Sequence, residues 1–118
     1  MEQNILIVED DAFIAEDMAD IVLDGLGRTP VVASSCREAL SKINRDTVLG
    51  FLDINVADGT TYDLARRLRN LGIPLVFISG NSPDKLPADL QDLPYLLKPA
   101  ETAAVVRLAR TLSADLIA

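Results

Sequence analysis

Four short apolar runs in this chain each stop at residues able to do chemistry. Glu9-Asp10-Asp11 follows the first run, Asp53 another, Ser79-Gly80 a third and Lys98-Pro99 the last. Clustered carboxylates repel one another unless a cation sits among them. Oxygen-only ligands suit a hard cation, Mg²⁺ above all, which keeps several waters and takes one or two carboxylates plus phosphate oxygens. Beside such an ion a carboxylate can attack phosphorus and become an acyl phosphate. Phosphoryl transfer asks mainly for positioning and charge neutralisation. A lysine supplies further positive charge, and a hydroxyl or backbone N–H can hold another phosphoryl oxygen. The chain has no histidine, which removes histidine triads, His-ligated zinc and His general bases.

These residues need elements to bring them together. Asn4-Ile5-Leu6-Ile7-Val8 reads as a buried strand. A helical pattern follows, with Ile14, Met18, Ile21 and Val22 on one face and Glu16, Asp20 and Asp24 facing away; Gly25 and Gly27 can end it. Residues 30–33 read as a second strand. Ser35-Cys36-Arg37-Glu38 has capping-box spacing and opens a second helix through Ala39, Leu40 and Ile43. Residues 48–52 form a third strand ending at Asp53. Thr61 is the expected cap of a third helix, with Leu64, Leu68 and Leu71 inward, Arg66, Arg67 and Arg69 on a solvated face, and Gly72 closing it. Residues 75–78 and 95–97 are the fourth and fifth strands. A last helix after Pro99 carries Val105, Leu108, Leu112 and Leu116 on one side.

Strands alternating with helices predict parallel βαβ units, right-handed crossovers and a sheet covered on both faces. The expected fold is a three-layer, doubly wound α/β domain spanning residues 1–118, with a five-stranded parallel sheet in the flavodoxin-like order 2-1-3-4-5. In that fold, ligands bind beyond the carboxyl ends of the strands, where all four polar groups fall. The fourth helix is the weak slot. Pro83 can start a helix, but Pro87 would lie inside it at a cost of about 3 kcal/mol. A short or mobile segment is expected there, with few inward apolar residues.

Composition agrees with one globular domain. Of the 118 residues, 49% are hydrophobic and 25% charged. The net charge of −7 disfavours binding to nucleic acid. A single cysteine, Cys36, excludes an internal disulfide and fits a reducing compartment; partly buried packing is its expected role. No run approaches the roughly 20 apolar residues of a membrane helix; residues 1–4 have no basic region, and the apolar run Ile5 to Val8 is too short for a signal peptide. The expectation is a cytoplasmic protein with no membrane contact.

With these residues in this order at four strand ends, the chain resembles a receiver domain of two-component signalling over essentially its whole length. The resemblance implies that Asp53 is the phosphoacceptor. It implies Mg²⁺ held directly by Asp10 and Asp53, by Glu9 through water and by the backbone carbonyl of Asn55. Ser79 takes the switch hydroxyl position, Lys98 binds the phosphoryl group, and Tyr95 sits at the aromatic switch position. The Lys98-Pro99 bond is cis in that family. The implied partner is a sensor histidine kinase or a histidine phosphotransfer protein. Catalysis would extend only to the chain's own phosphorylation and dephosphorylation.

The stretch Pro74-Leu75-Val76-Phe77-Ile78-Ser79-Gly80-Asn81 also resembles the Pro-Phe-x-Phe-Ala-Thr-Gly-Tyr signature of single-domain receivers paired with HWE-type kinases. It departs from that signature at Leu75, Ile78, Ser79 and Asn81. The span from Asp53 to Lys98 is several residues shorter than in common receivers. Because the chain stops after its last helix, output is expected through protein contact, competition for a kinase, or draining phosphate.

Each group alone has a plainer reading: an N-cap at Glu9-Asp10-Asp11, turns at Asp53 and Ser79-Gly80, a surface lysine at Lys98, core packing at Tyr95. Two other functions share this layered fold. A metal-dependent phosphatase-like hydrolase would carry a second catalytic Asp where Asn55 stands. A pseudo-receiver binding module would not need the acidic pair, Asp53, Ser79 and Lys98 together.

Overall fold

A strand buried on both faces needs apolar residues at every position, and β1 (Asn4–Val8) meets that demand with all five residues buried. The computed structural model describes residues 2–113 and residue 116. In it, β1 lies between β2 (Thr29–Ala33) and β3 (Thr47–Leu52), and β6 (Leu75–Ser79) and β7 (Tyr95–Leu97) continue the sheet beyond β3. All four pairings are parallel. Counting these five strands alone, the order is the expected 2-1-3-4-5.

Alternation along each strand sends neighbouring side chains to opposite faces. Leu6, Val8, Leu52 and Phe77 enter one core with Ala39 of α2 (Cys36–Lys42) and Leu64 and Leu68 of α3 (Tyr62–Asn70). Ile5, Ile7, Phe51, Val76 and Ile78 enter the other, with Met18 of α1 (Ala12–Asp20) and Val105 and Ala109 of α4 (Thr102–Leu112). Leu116, expected on the last helix, lies past its end but is buried in this second core.

Several local expectations are corrected. The first helix passes through a π-helical turn, Ile21–Gly25, and ends as expected at its glycines, with Gly27 at φ 63° just past the cap at Leu26. A Cβ on Gly25 would lie 2.9 Å from Val106 of α4, so the close approach of the two elements requires glycine there. In the capping box, Ser35 accepts from the Glu38 N–H as expected, but Glu38 reaches back to the Ser34 N–H instead. Leu71, expected inward, is half exposed where α3 ends. Thr61 precedes α3 without a side-chain cap bond, because its hydroxyl is engaged elsewhere. A small antiparallel hairpin, β4 (Asn55–Val56) with β5 (Gly59–Thr60), was not foreseen. Two-residue strands carry no periodicity to read.

The fourth helical slot holds two three-residue 3₁₀ turns, Pro83–Lys85 and Ala88–Leu90, separated at Pro87 as its ring geometry demands. The expectation of few inward apolar residues is wrong here, since Leu86 and Leu90 are both buried in the core. The arginines of α3 hold the segment as well. Arg66 donates to both carboxylate oxygens of Asp89, at 2.8 and 3.0 Å, and to Asp63 at 2.9 Å, while Arg69 reaches Asp92 at 3.3 Å. Of the three arginines expected on a solvated face, two are therefore tethers.

Leu90→Ala should lower unfolding free energy by about 2–5 kcal/mol in denaturant titration. Arg66→Ala should cost no more than about 1 kcal/mol, because the pairs are surface ones. The same Arg66 change should speed amide exchange across residues 83–93 and leave the sheet unaffected.

Candidate functional site

The carboxyl ends of β1, β3, β6 and β7 lie side by side by virtue of the strand order, and the sequence puts a polar residue at each. Backbone bonds set the register. The Asp53 N–H donates to the Val8 carbonyl at 2.9 Å, the Glu9 N–H to Ala33 at 3.0 Å and the Lys98 N–H to Ser79 at 2.9 Å. Glu9, Asp10 and Asp53 can each offer a carboxylate oxygen within 4.8 Å of the others. Lys98 reaches across: its Nζ donates to Glu9 Oε1 at 2.6 Å and to Asp53 Oδ2 at 2.9 Å. The other Asp53 oxygen, Oδ1, accepts the Ile54 N–H at 2.7 Å. The Lys98-Pro99 peptide is cis.

The acidic triplet after β1 divides its labour. Asp11 is the N-cap of α1, accepting from the N–H groups of Phe13 and Ile14. That leaves Glu9 and Asp10 for the cluster, Glu9 buried and Asp10 exposed. The N-cap reading thus holds for Asp11, while Glu9 bonds across the sheet to Lys98.

Burial pushes the Glu9 carboxyl above its ordinary value, against the opposing hydrogen bonds from Lys98 and the Asp11 N–H. Burial also works against the Lys98 charge, but the bonds to Glu9 and Asp53 outweigh it and hold the ammonium above the usual lysine range. Three carboxylates face one ammonium, so with all of them ionised the cluster carries two uncompensated negative charges. Oxygen donors with that surplus are what a hard divalent cation requires.

Ser79 is buried at the end of β6, and its Oγ accepts the Asn81 N–H at 3.4 Å. Tyr95 is half-buried, and its hydroxyl donates to the carbonyl of the same Asn81. Asn81 therefore joins the two expected switch positions, a link that Asn81 in the sequence does not signal. The Tyr95 ring also tilts at 45° to Phe77, centroids 6.5 Å apart. Asn55 begins the hairpin and is exposed. Cys36 is half-buried, with its thiol on the Thr60 carbonyl at 3.4 Å.

Thr61, expected only as a helix cap, also belongs to the surroundings of Asp53. It is fully buried, its Oγ donates to the Asp53 carbonyl at 2.5 Å, and its N–H donates to Ile54 at 2.8 Å.

No family model matches the chain, and no curated protein does. Solved structures match it at nearly full length. A CheY-like response regulator receiver domain from Methylobacillus flagellatus is 28% identical, with a TM-score of 0.78 over 94% of this chain and 98% of that one. A two-component response regulator from Clostridium difficile is 26% identical, with a TM-score of 0.80 over 93% and 94%. A sensor protein from Polaromonas sp. JS666, at 22% identity, shares the fold with a TM-score of 0.81 over 97% and 98%. The chain thus resembles response regulator receiver domains in architecture from end to end. Among the described residues no helix is long and apolar enough to cross a membrane.

A carboxyl raised above its ordinary value of 4.5 stabilises the fold most below that value and loses its contribution as pH rises through the raised value. Lys98→Met removes the bonds that oppose the rise. Glu9 should then titrate higher still in carboxyl-detected NMR. Thermal melts should show a larger loss of stability than in the parent chain from pH 4.5 upward.

Proposed function

We propose that this chain is a receiver of a two-component phosphorelay and takes a phosphoryl group from phosphohistidine onto Asp53. The observation that carries the reading is the Lys98 ammonium bridging Glu9 and Asp53 beside Asp10. A surface lysine has no need of two carboxylates at a sheet edge. A phosphoryl site needs a cation next to the nucleophile.

The donor set fits Mg²⁺. Asp10 and Asp53 would hold it directly, Glu9 through water and Asn55 by its backbone carbonyl. When bound, the ion neutralises negative charge on the phosphoryl oxygens. A carboxylate nucleophile needs no general base, which suits a chain without histidine. Its oxygen forms the new O–P bond as the N–P bond of the donor phosphohistidine breaks. The electron pair of that bond leaves with the imidazole, which takes up a proton. Lys98 offers N–H donors to the transferred oxygens, and Ser79 offers its hydroxyl. Dephosphorylation is a separate hydrolysis: water attacks phosphorus, the acyl O–P bond breaks, inorganic phosphate leaves and the Asp53 carboxylate is restored.

The donor is a sensor histidine kinase or a histidine phosphotransfer protein in the cytoplasm. Residues 74–81 support the HWE type by sequence pattern. Output is contact with another protein or the draining of phosphate from a pathway, with the Ser79–Asn81–Tyr95 chain of bonds as the element that senses the change.

Acetyl phosphate with Mg²⁺ should label the chain at Asp53, seen by mass spectrometry after hydroxylamine trapping. Asp53→Asn should abolish labelling with the fold kept, and chelation of the metal should do the same. Labelling of the Asn variant at the parent level would contradict the assignment.

A further inference from the structure

We propose that Thr61 is a positioning residue for the Asp53 carboxylate. This inference rests on the phosphoacceptor reading of Asp53. The sheet holds Asp53 only from the N-terminal side, through the bond from its N–H to Val8. Beyond it the chain leaves the sheet, and one more rotatable peptide separates the carboxylate from a loop. The peptide that follows matters, because its N–H, that of Ile54, donates to Asp53 Oδ1 at 2.7 Å. Where that peptide plane points decides where the carboxylate points.

Thr61 sets the plane. The Asp53 carbonyl belongs to the same peptide unit as the Ile54 N–H, and the Thr61 hydroxyl donates to it at 2.5 Å. A peptide is rigid, so holding its C=O aims its N–H. The grip has little slack. Thr61 is fully buried, and its own N–H donates to the Ile54 carbonyl at 2.8 Å, so two successive carbonyls are tied to one residue.

The hairpin between them is anchored at its far end too. Asp58 accepts the Cys36 and Arg37 N–H groups at 2.8 and 3.1 Å, and the Ala57 N–H donates to Ser34. Residues 53–61 thus form a closed loop pinned at both ends. Asp53 Oδ1 is oriented through Thr61, and Oδ2 through Lys98. In-line attack on phosphorus depends on such orientation, and a small misplacement of the nucleophile costs rate steeply.

The test uses Thr61→Val, which keeps the branched shape and removes the hydroxyl, and Thr61→Ser, which keeps the hydroxyl. Each is labelled with acetyl phosphate and Mg²⁺ at a temperature where circular dichroism shows it folded. Amide spectra are recorded without donor. In Thr61→Val the Ile54 amide proton should move upfield as its hydrogen bond weakens, and the labelling rate should fall about tenfold or more. Thr61→Ser should return both towards the parent values.

A valine variant with a slower rate but an unmoved Ile54 amide overturns the proposal, since general loosening would then explain the rate. An unchanged rate overturns it as well. Should the valine variant not fold, the parent chain decides: the Thr61 hydroxyl proton should exchange slowly with solvent, and fast exchange overturns the proposal. If the parent chain takes no label, the phosphoacceptor reading fails; the Ile54 amide comparison still decides whether Thr61 orients the carboxylate.

Discussion

Crowded negative charge at one edge of a sheet is the constraint on which the rest of this structure turns. Glu9, Asp10 and Asp53 repel one another, and burial of Glu9 adds to the cost. The cluster persists because it sits at the ends of strands anchored deep in two cores. It persists also because Lys98 crosses from β7 to bond Glu9 and Asp53 at once. Breaking a bridged, partly buried group of this kind costs more than its net contribution, since the charges left behind lose their partner. Three carboxylates against one ammonium leave the site able to take further positive charge. This is the physical sense of the proposed phosphoryl chemistry.

The fold serves the cluster by separating two tasks. The five central strands supply rigidity through continuous apolar runs on both faces. Adaptable contacts gather at the carboxyl ends, where Asn81 bonds both Ser79 and Tyr95. The segment after it holds two 3₁₀ turns in place of an α-helix. Leu86 and Leu90 are buried, and Arg66 and Arg69 clip Asp89 and Asp92.

The sheet was legible in the sequence because parallel strands buried on both faces read as unbroken apolar runs; residues 4–8 and 95–97 match the expected bounds. The cluster was legible because strand ends in this topology converge, so Glu9, Asp10, Asp53 and Lys98 could be brought together from order alone. What escaped shares a cause: one residue type serves several purposes. Thr61 before a helix reads as a cap, yet its hydroxyl goes to the Asp53 carbonyl. Arginines on a helix face read as solvated until Asp89 and Asp92 of the turn segment are folded against them. Leu86 and Leu90 have helical spacing, but Pro87 between them hides their shared burial. Leu71 fits its helical stripe, and only its place at the end of α3 leaves it exposed.

The most direct measurement is amide NMR of the parent chain titrated with beryllofluoride in the presence of Mg²⁺, since this group on a carboxylate oxygen is tetrahedral and mimics an acyl phosphate. A cluster built around Asp53 and Lys98 predicts saturable shifts that appear together at Asp53, Ile54, Ser79, Asn81 and Lys98, and that vanish in Asp53→Asn. Saturating reagent with these amides unmoved, or the same shifts in the Asn variant, would contradict the account.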